Sequence, residues 1–181
     1  MSSIVALAGS PSATSRTVAL GEQLAERLRT QAHEVRVVAV RALPADALLG
    51  ADTDHPAIAE VIAALATADG VVVASPVYKA AYSGVLKALL DLLPQWAFGG
   101  KVVLPVLTGG SPAHALAVDY ALRPVLSTLG ADHVVQGAFV LDEHIARTVH
   151  GVELDAAGGS LLEVVDWFSQ TLHANAALVP S

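Results

Sequence analysis

Five apolar, β-branched runs punctuate the chain, at Ile4–Leu7, Val35–Val40, Gly70–Ala74, Val102–Leu107 and Val134–Val140. Most are continuous rather than alternating, the pattern of strands covered on both faces. Between them, apolar positions recur at helical spacing over Ser15–Gln31, Ala57–Ala68, Ser83–Leu93, Ala113–Leu129 and Ser160–Ala174. Strands and helices alternate five times, which predicts an α/β fold: a five-stranded parallel sheet with helices on both faces. The expected strand order is 2-1-3-4-5, in a single domain spanning residues 1–181. The longest connection, Leu141–Gly159, carries Gly151, Gly158 and Gly159 and reads as a loose loop, with a mobile flap as the alternative.

Ligands of a doubly wound sheet bind beyond the C-terminal ends of its strands, where the strand order reverses. For this order the reversal lies between strands 1 and 3. The loops after strands 1, 3 and 4 are therefore the candidates: Gly9–Thr17, Ser75–Gly84 and Thr108–Pro112, all rich in Gly, Ser, Thr and Pro. The first turns from strand to helix near Ser15, so backbone N–H groups converge there and the helix end adds about half a positive charge. Ser10, Ser15 and Thr17 contribute hydroxyls and Arg16 a fixed cation, a cradle suited to a terminal phosphate monoester. The same residues also read as a βα turn with Ser15 as helix cap.

Neither G-x-x-x-x-G-K-[ST] nor G-x-G-x-x-G occurs in this loop. Its Ser10 to Arg16-Thr17 spacing matches that of low-molecular-weight phosphatases, but a serine stands where their cysteine nucleophile belongs, so that chemistry is not expected. In the second loop, Pro76 and Val77 stiffen a backbone that can lie against a flat ring, and Tyr78 offers an aromatic face. A proline-containing turn with Tyr78 and Tyr82 packed on the core is the alternative. Gly109 and Gly110, after Thr108, permit close backbone approach to a ligand.

Bulk properties narrow the classes. The chain has 181 residues, 54% of them apolar, and a net charge of -7. No basic cluster forms a nucleic-acid face, and no apolar run reaches the length of a membrane span. The excess apolar surface calls for burial internally or between subunits, and a homo-oligomer is expected. The start Met1-Ser2-Ser3-Ile4 shows no signal-peptide pattern, and there are no cysteines, both consistent with a cytoplasmic protein.

Ser75–Pro94, together with Gly9–Thr17, Thr108–Gly110 and Val118-Asp119-Tyr120-Ala121-Leu122, resembles the NADPH-dependent FMN reductases, most closely the SsuE-type reductases of alkanesulfonate assimilation. The resemblance covers roughly residues 4–140. It implies a flavodoxin-like fold, reduction of FMN by NADPH or NADH, transfer of reduced flavin to a partner monooxygenase, and a homodimer or homotetramer. By position, Ser10, Ser15, Arg16 and Thr17 would hold the FMN phosphate. Pro76, Val77, Tyr78 and Lys79 would line the ring with Thr108, Gly109 and Gly110, and Ser83 and Tyr120 belong to the same binding set. The family often has an arginine after Gly-Ser-Pro, whereas this chain has Ser12, a departure that leaves open one cationic contact, to flavin phosphate or to NADPH. Hydride transfer between two cofactors needs no general acid or base, so no catalytic side chain is assigned.

Pro124 interrupts the helical pattern Ala113–Leu129. It lacks an N–H and its ring clashes with the Tyr120 carbonyl, so a kink or a π-bulge is expected around Tyr120–Pro124. The resemblance adds that Tyr120 sits in an inserted π-turn near the flavin, which implies a flavin held loosely, as a substrate. The histidines, His33, His55, His114, His133, His144, His150 and His173, show no metal-binding spacing. A flavin-bound quinone or azo reductase and a flavodoxin-like electron carrier remain the alternatives.

Overall fold

A continuous sheet forms because its central strands are apolar at every position and can be covered on both sides. The computed structural model describes residues 1–149 and 151–178, with side chains described to 175; His150 lies outside the described residues. The elements are β1 (Ser3–Ala8), α1 (Arg16–Thr30), β2 (Glu34–Ala39), α2 (Ala45–Leu49), α3 (Pro56–Thr67), β3 (Gly70–Tyr78), β4 (Ala81–Tyr82), α4 (Gly84–Leu92), β5 (Val102–Gly109), α5 (Arg123–Thr128), β6 (His133–Val134), β7 (Ala138–Leu141), β8 (Ile145–Thr148), β9 (Gly151–Leu154) and α6 (Ser160–Leu178). The core order is β2-β1-β3-β5, all parallel, with β6 and then β7 pairing along the outer side of β5. This is the flavodoxin-like arrangement.

Side chains alternate between two cores. Val5 and Leu7 of β1, Val71 and Val73 of β3, and Val103 and Leu107 of β5 face one core with residues of α2, α3, α4 and α5. Ile4 and Ala6, Val72 and Ala74, and Leu104 and Val106 face the other, with residues of α1 and α6. The period of two along each strand splits one apolar run between both layers.

The sheet has seven strands, not five. One addition is β4, which turns back antiparallel on the end of β3. The other comes from a break in the expected run Val134–Val140. Val134 pairs with Val103 and Ala138 with Val106, so four steps on the outer strand face three on β5, a bulge. Gly137 sits there because a Cβ would lie 2.6 Å from Val118 Cγ1 and 2.8 Å from Pro105 Cγ.

The expected helix Ala113–Leu129 is three pieces: a 3-10 turn over Pro112–Leu116, a π-turn over Val118–Leu122, and α5. The π-turn ends just before Pro124, so the widened turn absorbs both the missing N–H and the ring clash. Arg123 staples it: Nε donates to Asp119 Oδ1 at 2.9 Å and Nη1 to the Val134 carbonyl at 3.2 Å.

The Leu141–Gly159 stretch is not a loose loop. Its middle is the antiparallel β8–β9 hairpin, docked on α1 through buried Ile145 and Val152. Asp155 secures its far end. It accepts from the Ala157 and Gly158 backbone N–H groups at 3.0 and 2.9 Å and lies 2.7 Å from His144 Nδ1. The Gly158 amide, followed by His144, holds the Asp155 carboxyl below the usual carboxylate range.

Candidate active site

The strand-to-helix turns at the C-terminal edge of the sheet build a cleft of about 380 Å³, lined by Ser12, Thr14, Ser15, Arg16, Thr17, Pro76, Val77, Tyr78, Thr108, Gly109, Asp142 and Arg147. The lining combines hydroxyls, two guanidinium groups and the Asp142 carboxylate with a proline, a valine and a tyrosine ring.

The first loop is held by its neighbours. Ser15 caps α1, its Oγ accepting from Val18 N at 3.4 Å. Gly9 N donates to the Ala74 carbonyl at 2.7 Å, and a Cβ on Gly9 would stand 2.7 Å from Leu86 Cβ, so only glycine lets the loop run this close to α4. Thr17 Oγ1 and Thr108 Oγ1 share a buried hydrogen bond of 2.7 Å that ties the first loop to the end of β5.

The second loop reverses direction at Lys79-Ala80. Both have positive φ (51° and 63°), as a two-residue hairpin loop of the primed type requires. For residues with a Cβ this costs about 1–2 kcal/mol each. The turn leaves Tyr78 48% exposed at the mouth of the cleft. Ser75 Oγ accepts from Ser83 N at 2.9 Å; Ser83 Oγ donates to the Gly9 carbonyl and accepts from Leu86 N at 3.2 Å.

Of the residues expected from sequence, Ser15, Arg16, Thr17, Pro76, Val77, Tyr78, Thr108 and Gly109 meet in this one cleft. Gly110 lies in an adjoining hollow with Arg16, Leu141, Asp142 and Glu143. Ser10 is buried behind the loop, its Oγ accepting from Ser12 N at 3.3 Å. Ser83 is buried as the peg between the first and second loops. Lys79 occupies the exposed turn and is not part of the cleft lining. Tyr120, 79% exposed on the π-turn, borders a separate shallow hollow with Ala80, His114 and Leu116.

Four lining residues were not foreseen: Ser12, Thr14, Asp142 and Arg147. Ser12 and Thr14 were within the loop already singled out, and their hydroxyls bond each other at 3.3 Å. Asp142 and Arg147 come from the segment read as a loose loop, where no motif marked them. A second guanidinium, that of Arg147, thus reaches the cleft from a distant hairpin. Among the described residues no cluster of His, Asp and Glu is arranged to hold a metal ion, and no helix is long and apolar enough to cross a membrane.

Known proteins share this chain's sequence and fold. The sequence pattern of the family described as NADPH-dependent FMN reductase matches residues 2–146. An FMN reductase (NADPH) of Pseudomonas putida is 49% identical over 170 residues, covering 94% of this chain and 82% of that protein. An FMN reductase (NADPH) of Escherichia coli is 44% identical over 178 residues, covering 98% and 93%. The apo crystal structure of the NADH:FMN oxidoreductase EMOB superposes with a TM-score of 0.86 at 41% identity, covering 94% of this chain and 90% of that one.

Proposed function

The chain belongs to the NADPH-dependent FMN reductases, oxidoreductases that use FMN and reduced nicotinamide, and from that premise we propose that it handles FMN as a loosely held substrate and delivers it, reduced, to a flavin-dependent monooxygenase. The donor set of the cleft fits FMN: a phosphate end of hydroxyls and arginine, joined to a proline–valine–tyrosine wall for a planar ring. When bound, FMN supplies the acceptor for the nicotinamide hydride. The protein's part is positional. Arg16, Ser15 and Thr17 hold the phosphate, with the α1 N-terminus behind them, and Ser10 fixes the loop's shape. Pro76, Val77 and Tyr78 support the ring against Thr108, Gly109 and Gly110. Ser83 locks the two loops together, and Lys79 places positive charge at the mouth. No side chain is asked to move a proton.

The observation that carries the substrate reading is the exposed π-turn. Tyr120 and Leu116, 79% and 63% exposed, line one hollow with Ala80 of the Lys79-Ala80 turn. A contiguous apolar face of this kind is a contact surface. We assign it to a homodimer or homotetramer interface at the mouth of the cleft, in a cytoplasmic enzyme acting as one domain. α4 is less suited to that role, since Leu86, Leu89 and Leu90 are buried in its own core and Lys87 and Asp91 pair on its outer side.

The test is NADPH and NADH oxidation in air, with and without added FMN, on protein purified without flavin. Oxidation that saturates with added FMN is expected, and Tyr120→Ala is expected to retain flavin differently. Oxidation sustained by tightly bound flavin and a quinone, indifferent to free FMN, would replace the proposal with a quinone reductase.

A further inference from the structure

Arg147 occupies an unusual register position. Residues directly opposite in an antiparallel pair share a face, as do residues two apart on one strand. Arg147 lies opposite Val152 and two residues after Ile145, and both of those are buried against the α1 layer. It therefore holds an inward register position of the hairpin while remaining an exposed residue, whereas Ala146 and Glu153 take the outward face. Its side chain lines the cleft with Arg16, Ser12 and Thr14. Among the described residues it has no carboxylate partner, although Asp142 lines the same cleft. An exposed guanidinium without a carboxylate partner among the described residues, sharing the cleft lining with Arg16 and a row of hydroxyls, matches a doubly charged anion, since arginine forks fit phosphate oxygens.

We propose that Arg147 determines ligand specificity, closing with Arg16 on a phosphate monoester dianion in the cleft. Two ligands of this enzyme carry such a group: FMN at its terminal phosphate and NADPH at its 2′-phosphate. The hairpin would then be the second jaw of the phosphate site, held rigid on α1 by Ile145 and Val152 and at its base by Asp155.

The inference rests on the placement of the flavin phosphate at this end of the cleft. Arg147→Gln and Arg147→Lys would be titrated with FMN and riboflavin by flavin fluorescence, and their KM values for NADPH and NADH measured. Arg147→Gln is expected to weaken one phosphorylated ligand by about fivefold or more, the range for a charge-assisted bond at a partly exposed site, and to leave its unphosphorylated counterpart unchanged. Arg147→Lys should recover part of the loss. A change in FMN against riboflavin assigns the clamp to the flavin phosphate; a change in NADPH against NADH assigns it to the 2′-phosphate. Unchanged constants for all four ligands would overturn the inference, as would equal losses with and without phosphate, which mark a packing role. Wild-type protein that binds riboflavin as tightly as FMN would instead break the underlying placement of the flavin.

Discussion

Two hollows of nearly equal size sit at opposite edges of the sheet, and their chemistry is opposite. The cleft at the C-terminal edge, about 380 Å³, is walled by hydroxyls, two arginines and a proline–valine–tyrosine segment. The hollow at the N-terminal edge, about 390 Å³, is walled by Ile62, Leu65, Leu93, Pro94, Trp96 and their neighbours. Size does not tell them apart; the backbone does. Past the C-terminal ends, β1 leaves its ladder straight into α1, so backbone N–H groups of the α1 N-terminus and the helix dipole face the cleft, whereas β3 first turns back through β4. At the other edge those groups are spent internally. Phe98 N bonds the Leu129 carbonyl at 2.9 Å, and Lys101 Nζ bonds the Ala68 carbonyl at 3.0 Å, where burial lowers its pKa from the ordinary lysine value.

The contrast is sharpest under mutation. Phe98→Ala, beside the apolar hollow and fully buried, should cost about 3–5 kcal/mol in urea unfolding, while the FMN dissociation constant of the folded fraction stays put. A weakened FMN affinity there would erase the distinction between the two edges. Arg16→Ala should do the reverse, weakening FMN by about fivefold to tenfold with riboflavin and the unfolding midpoint nearly unaffected. Thr17→Val removes the buried bond to Thr108 and should cost about 1 kcal/mol of stability together with some FMN affinity, because this hydroxyl serves fold and cleft at once.

The smallest effect lies away from both hollows. His33 is buried, bonded through Nε2 to Ser169 Oγ at 2.8 Å and stacked on His173 with ring centroids 4.7 Å apart. Burial first, then the neighbouring His173, lowers its pKa from 6.5. The unfolded chain therefore takes up a proton that the native state refuses. This contribution to stability is intact above pH 6.5 and is lost as pH falls through the lowered native value. Urea midpoints between pH 7 and pH 5 should fall less steeply in His33→Gln than in the wild type; equal slopes would mean that His33 does not govern the acid limb.

Much of the C-terminal edge was legible in the chain because its signals are local. Ser15 ahead of a helical period and a proline that forbids a regular helix at Tyr120 each act within a few residues. A kink or π-bulge is expected there because the clash between Pro124 and the Tyr120 carbonyl is a fact of covalent geometry, and the structure takes the π form. The β3–β4 hairpin was not, because Lys79-Ala80 lacks the glycine or asparagine that normally announces a primed turn; the surrounding sheet and the Ser75–Ser83 bond hold the positive φ values.

What the sequence by itself determined was the alternation of apolar runs and helical periods, and hence the parallel sheet, its switch point and the loops that gather there. Those features follow from spacing, side-chain volume and backbone sterics, which are properties of neighbours along the chain. Only the tertiary structure decided that the last strand splits at Gly137, that 145–154 forms a hairpin, and that Arg147 and Asp142 join the cleft beside Arg16. These depend on contacts between segments far apart in sequence, made because the hairpin buries Ile145 and Val152 against α1, and no local pattern encodes which distant surface a short strand will find.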